Sequence, residues 1–181
     1  LTSGSTELFY AVYFFNESSG YAIGENGTII HTLNGGSSWT YQNSGITQRL
    51  MNVRFTDINT GYAVGDYGII LKTIDGGTSW NMIPKATEAD LYSVCFTAAD
   101  TGYVVGNWGT ILKTTDGGDT WKIQTSGAIW NSQISGTMQP LYSVYFTDTT
   151  TGYTGGGAGT ILKTTDGGAT WDSIFSGSTQ D

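Results

Sequence analysis

The chain contains one cysteine in 181 residues, Cys95, and two prolines. A single thiol excludes an internal disulfide and a cysteine-rich metal site. Between Val94 and Phe96, Cys95 reads as a small core residue rather than a nucleophile. His31 is the one histidine, which excludes a multi-histidine metal site. Basic residues are scarce as well: seven Lys and Arg face 15 acids, for a net charge of −8. The basic footprint that nucleic-acid binding requires is missing, and an anionic membrane surface is an equally poor partner. No apolar run approaches the ~18 residues of a membrane-spanning helix.

What the chain has in excess is glycine, 27 residues, and aromatics, 13% of the total with six Trp and 11 Tyr. Disordered chains deplete aromatics and raise charge, whereas charged residues here are only 12%. A helical bundle is disfavoured too, because Gly costs about 1 kcal/mol relative to Ala inside a helix. The composition predicts an all-β chain with many tight turns.

An internal repeat sets the architecture. Trp39, Trp80, Trp121 and Trp171 are separated by 41, 41 and 50 residues, and Phe14, Phe55, Phe96 and Phe146 keep the same spacings. Each unit has four pieces, which in the last unit are LYSVYF (141–146), TGYTGG, GTILKT and TDGGATW. The first three are short apolar runs bounded by turn residues, and a fourth strand is expected to begin at the Trp. Four short antiparallel strands every ~41 residues is the pattern of a β-propeller blade. We expect a single domain over 1–181, with repeats at about 8–49, 50–90, 91–140 and 141–181.

The segments TLNGGSSW, TIDGGTSW, TTDGGDTW and TTDGGATW resemble the Asp-box, or bacterial neuraminidase repeat. The preceding TGY and GTILKT pieces bring the likeness closer to propellers of the photosystem II assembly/stability factor type, a repeat also carried by secreted bacterial proteins. The resemblance covers essentially the whole chain and implies a propeller fold and protein–protein contacts. It fixes no function alone, because one scaffold hosts many functions.

The box also has a direct physical reading. Asp75, Asp116 and Asp166 are expected to bond backbone two residues on, with Asn34 keeping that chemistry without the charge. The following Gly pairs supply positive φ. Trp39, Trp80, Trp121 and Trp171 then place a ring against a neighbouring sheet. All four boxes are expected to be structural turns and no metal site, since the dense oxygen pattern of a calcium loop is absent.

The ends leave the ring open to three outcomes. The segment at Ser3–Thr6 aligns with Ser44–Thr47, so the chain is expected to begin inside the tail of a preceding unit and to follow a removed leader. A four-bladed ring, part of a larger array, and a ring completed by association all remain open, the last through exposed blade edges.

No enzyme is expected. A sialidase-type site implies three arginines and a Tyr nucleophile, and only Arg49 and Arg54 exist. Glycosidases need two facing carboxylates. Glu25, Asp66, Glu88 and Asp90 are free of the repeated turns, yet nothing pairs them. His31 occupies the slot of Lys72, Lys113 and Lys163, which suits a strand surface better than catalysis. No cofactor motif is present.

Binding is expected where the repeats differ. The turn between second and third strands reads Glu25-Asn26, Asp66-Tyr67, Asn107-Trp108 and Gly157-Ala158. Trp121 to Leu141 spans 20 residues, against 11 for Trp80 to Leu91, and this insertion carries Trp130. In an up-and-down blade these turns and the blade connections share one face, with the boxes on the other. The candidate site is therefore Tyr67, Trp108, Trp130, Asp66, Asn107 and Glu25. Two sequons, at Asn16 and Asn26, and the low charge suit a secreted or lumenal protein. The expectation is a non-catalytic module that binds a protein. The alternatives are a carbohydrate-binding module and a self-associating structural subunit.

Overall fold

The computed structural model describes residues 4–124 and 135–174. Within them four sheets follow one another, each of four antiparallel strands in chain order. The first blade is β1 (Phe9–Phe14), β2 (Gly20–Gly24), β3 (Ile29–Thr32) and β4 (Thr40–Gln42). The second is β5 (Leu50–Phe55), β6 (Gly61–Gly65), β7 (Ile70–Thr73) and β8 (Asn81–Met82). The third is β9 (Leu91–Phe96), β10 (Gly102–Gly106), β11 (Ile111–Thr114) and β12 (Lys122–Ile123). The fourth is β13 (Leu141–Phe146), β14 (Gly152–Gly156), β15 (Ile161–Thr164) and β16 (Asp172–Ser173). This is the propeller architecture that the repeat predicts, with the last strand of each blade starting one residue after the Trp.

Each first strand pairs with the second through an irregularity near its start, for example between Leu50 and Asn52. A bulge there increases the local twist that a blade needs. The last strands are only two or three residues long, so each blade presents a short open edge. First strands pack in chain order, β1 on β5, β5 on β9 and β9 on β13. No comparable packing joins β13 to β1 among the described residues.

The three seams between blades share one construction. Tyr21, Tyr62 and Tyr103, all buried, stack on Phe55, Phe96 and Phe146 of the next blade at 4.3, 4.3 and 4.1 Å. Their hydroxyls donate to the carbonyls of Gly76, Gly117 and Gly167 in the next box. Burial pushes the Tyr62 and Tyr103 hydroxyls up to about 12. Trp80, Trp121 and Trp171 meet the same Phe rings edge-on and are at most 8% exposed. Each such ring contributes about 1.5–3 kcal/mol of apolar burial.

The box itself differs from the expectation in one respect. Asp75 Oδ1 accepts from the Ser79 N–H four residues on, at 2.9 Å, and not two residues on. The organiser is a buried Thr two residues before the Asp. Thr73 Oγ1 donates to Asp75 Oδ1 and accepts from the Gly77 N–H, at 2.8 and 2.9 Å. The pattern repeats at Thr32, Thr114 and Thr164, and Asn34 Oδ1 keeps it in the first blade. Both box glycines have positive φ, 65° and 79° at Gly76 and Gly77. The two-residue bond occurs elsewhere, in the hairpin joining first and second strands of three units, where Asn16, Asp57 and Asp148 Oδ1 accept from the N–H groups two and three residues on; Ala98 stands at that position in the third unit.

Candidate partner-binding face

Turns distribute between two faces. Each box is tied to the hairpin joining first and second strands, as in Gly35 N–H to Ser18 O and Gly76 N–H to Asn59 O, at 2.8 and 2.9 Å. The opposite face carries the turns between second and third strands together with the blade connections. There a Cβ on Gly27 or Gly68 would overlap the backbone of the connecting segments at Ile46 and Thr87.

The four turns on this second face share a backbone and not side chains. The Asp66 N–H donates to Arg49 O, and the Ile69 N–H closes the turn on Asp66 O, at 3.0 and 3.2 Å. The middle residues Asn26, Tyr67, Trp108 and Ala158 all sit at positive φ, between 50° and 56°. A non-glycine residue in that region is strained by about 1–2 kcal/mol. Tyr67 and Trp108 nevertheless stand there 60% and 53% exposed.

Polar candidates divide by what they touch. Asp66 is buried, and its Oδ2 accepts from Arg49 Nε at 2.6 Å. Hydrogen bonds to Asp66 and to Tyr10 push Arg49 further up, so it stays charged. Glu25 accepts from the Tyr10 hydroxyl at 3.1 Å, and Asn107 Oδ1 caps its own turn at the Trp108 N–H. The Tyr67 N–H reaches forward to Asp90 Oδ1 at 2.9 Å. Trp130 lies outside the described residues. Tyr67 and Trp108 belong to adjacent blades, and no ring contact joins them among the described residues.

Tyr67 walls an open groove of about 520 Å³ between two successive blade connections. Ile46, Ile69 and Met82 supply its apolar surface, and Lys85 with Glu88 its charged end. Lys85 and Glu88 pair with each other at 2.8 Å. The sequence pattern missed Ile46, Met82 and Lys85, because they lie in connections and a last strand whose composition is merely polar. Their one signal was position, on the face that carries the variable turns.

Groups with possible chemistry are engaged elsewhere. His31 stacks on Tyr21 at 4.2 Å, and burial lowers its pKa. Burial pushes the Cys95 thiol up to about 12, which leaves no thiolate at neutral pH. Among the described residues no three acidic, His or Cys side chains converge as a metal site would require.

With this geometry in hand, comparisons place the chain. The profile of the photosynthesis system II assembly factor YCF48 family matches residues 4–87 and 79–134, most of the chain. The chain belongs to the YCF48 family. No curated protein matches it by sequence. Among solved structures it resembles YCF48 bound to D1 peptide, with a TM-score of 0.62 at 19% identity, covering 96% of this chain and 82% of that one. YCF48 from Cyanidioschyzon merolae gives 0.71 at 20% identity, covering 95% of this chain and 57% of that one. An ancestral GH74 enzyme gives 0.77 at 21% identity over 96% of this chain, which spans only 25% of the enzyme. These likenesses establish the β-propeller fold.

Proposed function

We propose that the chain is a non-catalytic protein-binding module, working outside the cytoplasm, that holds an extended peptide segment of its partner across the variable-turn face. The observation that carries this reading is the pair of exposed aromatics at strained positions, Tyr67 and Trp108, one of which walls the 520 Å³ groove. Strain of this kind persists where a surrounding fold over-determines it, and it concentrates at functional sites. Rigid aromatic rings are effective anchors, since they bury much area with few rotors. The solved YCF48 bound to D1 peptide supports peptide capture by a member of this family. Exposed Asn16 and Asn26 and the low charge support an extracytoplasmic setting.

In this reading Tyr67, Ile46 and Met82 take an apolar side chain in the groove, and Trp108 stacks on the segment where it crosses to the third blade. Arg49, half exposed and locked on Asp66, offers the segment one fixed cation beside the Tyr10 hydroxyl. Selection of random peptides displayed against the purified chain tests this. Enriched peptides should bind the chain and lose about tenfold or more in affinity against Tyr67→Ala and Trp108→Ala. Equal binding to both variants overturns the site. Trp fluorescence quenched by oligosaccharides and not by the selected peptides moves the function to carbohydrate binding.

A further inference from the structure

The residue just before each first strand is Leu8, Arg49, Asp90 or Pro140. In every blade its carbonyl accepts the N–H that opens that blade's own variable turn: Glu25 to Leu8, Asp66 to Arg49, Asn107 to Asp90 and Gly157 to Pro140, at 2.8–3.0 Å. The side chain at this position is under no such common demand. Leu8 and Pro140 offer no polar group, and Arg49 turns back on Asp66 of its own blade. Among the described residues only Asp90 reaches the turn of the preceding blade, where its Oδ1 accepts the Tyr67 N–H at 2.9 Å.

Asp90 is therefore bonded to both aromatic-bearing turns at once. Its main-chain oxygen holds Asn107, the neighbour of Trp108, and its carboxylate holds the backbone of Tyr67 itself. One half-buried residue braces the two turns against each other. The other middle residues lack such a brace. The Trp108 N–H is met at 3.1 Å by Asn107 Oδ1 inside its own turn, and the Asn26 and Ala158 N–H groups have no side-chain acceptor among the described residues. Tyr67 and Trp108 sit at φ of 56° and 54°, a conformation that a non-glycine residue keeps only when its surroundings impose it. A bond from the strained amide to a carboxylate of the next blade is of the stronger, charge-assisted kind. It stops the Tyr67 turn from rocking relative to the Trp108 turn.

The spacing so fixed selects a class of segment. The second and third blades pack face to face, with Tyr62 on Phe96 at 4.3 Å, and packed sheets generally lie about 10 Å apart. Tyr67 and Trp108 hold equivalent positions on these two blades. An extended chain advances about 3.3 Å per residue and alternates its sides, so side chains on one face cover about 6.6 Å from i to i+2 and about 13 Å from i to i+4. The shorter step falls short of the gap between blades, and i to i+4 is the first that spans it.

We propose that Asp90 is the positioning residue that fixes the two aromatic anchors relative to each other, and that the partner segment is accordingly an extended chain with apolar side chains at i and i+4. This rests on the peptide-binding reading above and adds to it the class of segment. One of the two side chains enters the groove of Tyr67, Ile46 and Met82, and the other meets the Trp108 ring.

The peptides enriched by display are read first for spacing. Apolar residues should recur at i and i+4, and moving the second to i+3 should weaken binding about tenfold, as for the loss of an anchor. This readout needs no variant of the chain, so it stands even where a variant fails to fold. By titration calorimetry, Asp90→Ala should bind the enriched peptides about tenfold more weakly, and Asp90→Asn, which keeps an Oδ1 acceptor, should restore most of that loss. In a Tyr67→Ala background, Asp90→Ala should cost nothing further, because the ring it positions is gone; a merely structural role would add its full loss there. Amide exchange followed by NMR reads the brace without any peptide. The Tyr67 N–H should be protected in the chain and in Asp90→Asn, and unprotected in Asp90→Ala. Enriched peptides with another spacing overturn the segment class and leave the binding site standing. Additive losses in the double variant, or a Tyr67 N–H that stays protected in Asp90→Ala, overturn the role of Asp90. A display that enriches nothing overturns the peptide-binding reading and, with it, the segment class.

Discussion

The two ends of every blade solve the same problem differently. At the box end, side chains hold the turn: the Thr hydroxyl, the Asp carboxylate and two glycines are all committed, as at Thr73, Asp75, Gly76 and Gly77. At the other end, main-chain bonds hold it, such as Asp66 N–H to Arg49 O and Ile69 N–H to Asp66 O. Where side chains hold a turn, the four copies must agree. Where the backbone holds it, the middle side chain is released, and Asn26, Tyr67, Trp108 and Ala158 differ while their φ stays within 50–56°. Variation in a repeat therefore marks the positions that hydrogen bonding leaves free, and display of a binding group is open only there.

Breaking the committed end should have the largest effect. Gly118 has φ of 74°, and a Cβ would run into the ring of Tyr62, itself fully buried in the seam. Gly118→Ala should cost about 3 kcal/mol or more, read as a lowered midpoint in urea. Alkali attacks the same seams. Burial holds the folded Tyr62 and Tyr103 hydroxyls up near about 12, above the ordinary value of 10.0. A raised folded value means that their stabilisation is complete below about pH 10 and is lost as pH rises through about 12. Tyrosinate absorbance and unfolding should therefore rise together, and Tyr62→Phe should shift that limb.

The released end should respond in the opposite sense. Trp108→Gly relieves a positive φ of 54° and should raise stability by about 0.5–1 kcal/mol while abolishing the partner contact. A loss of stability there would mean that the ring holds the fold. The smallest effect is expected from Asn34→Asp, which gives the first box the carboxylate of the others and should change stability by under about 0.5 kcal/mol at neutral pH. Its signature is acid sensitivity. Hydrogen bonds from the Thr170 hydroxyl and N–H hold Asp166 down to about 2. A depressed folded value contributes stability above the ordinary carboxylate range of about 4 and loses it as pH falls through about 2. Asn34→Asp should add to that acid limb, and Asp166→Asn should remove part of it, in urea midpoints measured from pH 5 downward.

The sequence made the repeat plain, and with it the sixteen strands of the described residues, their pairing and the assignment of turns to faces, because spacing and turn residues are local properties. Contacts made across the fold were not legible. Arg49 and Asp66 are 17 residues apart and meet only because β5 pairs with β6 so that Leu50 lies opposite Gly65. The Thr at the centre of each box looks like an ordinary strand end until its hydroxyl is seen bonded on two sides. Burial was hidden most completely. Val12 and Val53 are the same residue in the same piece of the repeat, yet one is 63% and the other 4% exposed, because the neighbouring blade decides the matter.

The seams also bear on how such chains change length. Each unit's second and third strands carry the donating half of one seam, and its first strand and box carry most of the receiving half of another, with residues such as Ala63 and Leu71 added from the inner strands. Excising residues 50–90, one whole period, sets Tyr21 opposite Phe96 and Gly117, partners chemically identical to Phe55 and Gly76. Gene duplication or deletion in whole periods thus leaves every junction intact, so the family can gain and lose blades without inventing a new interface.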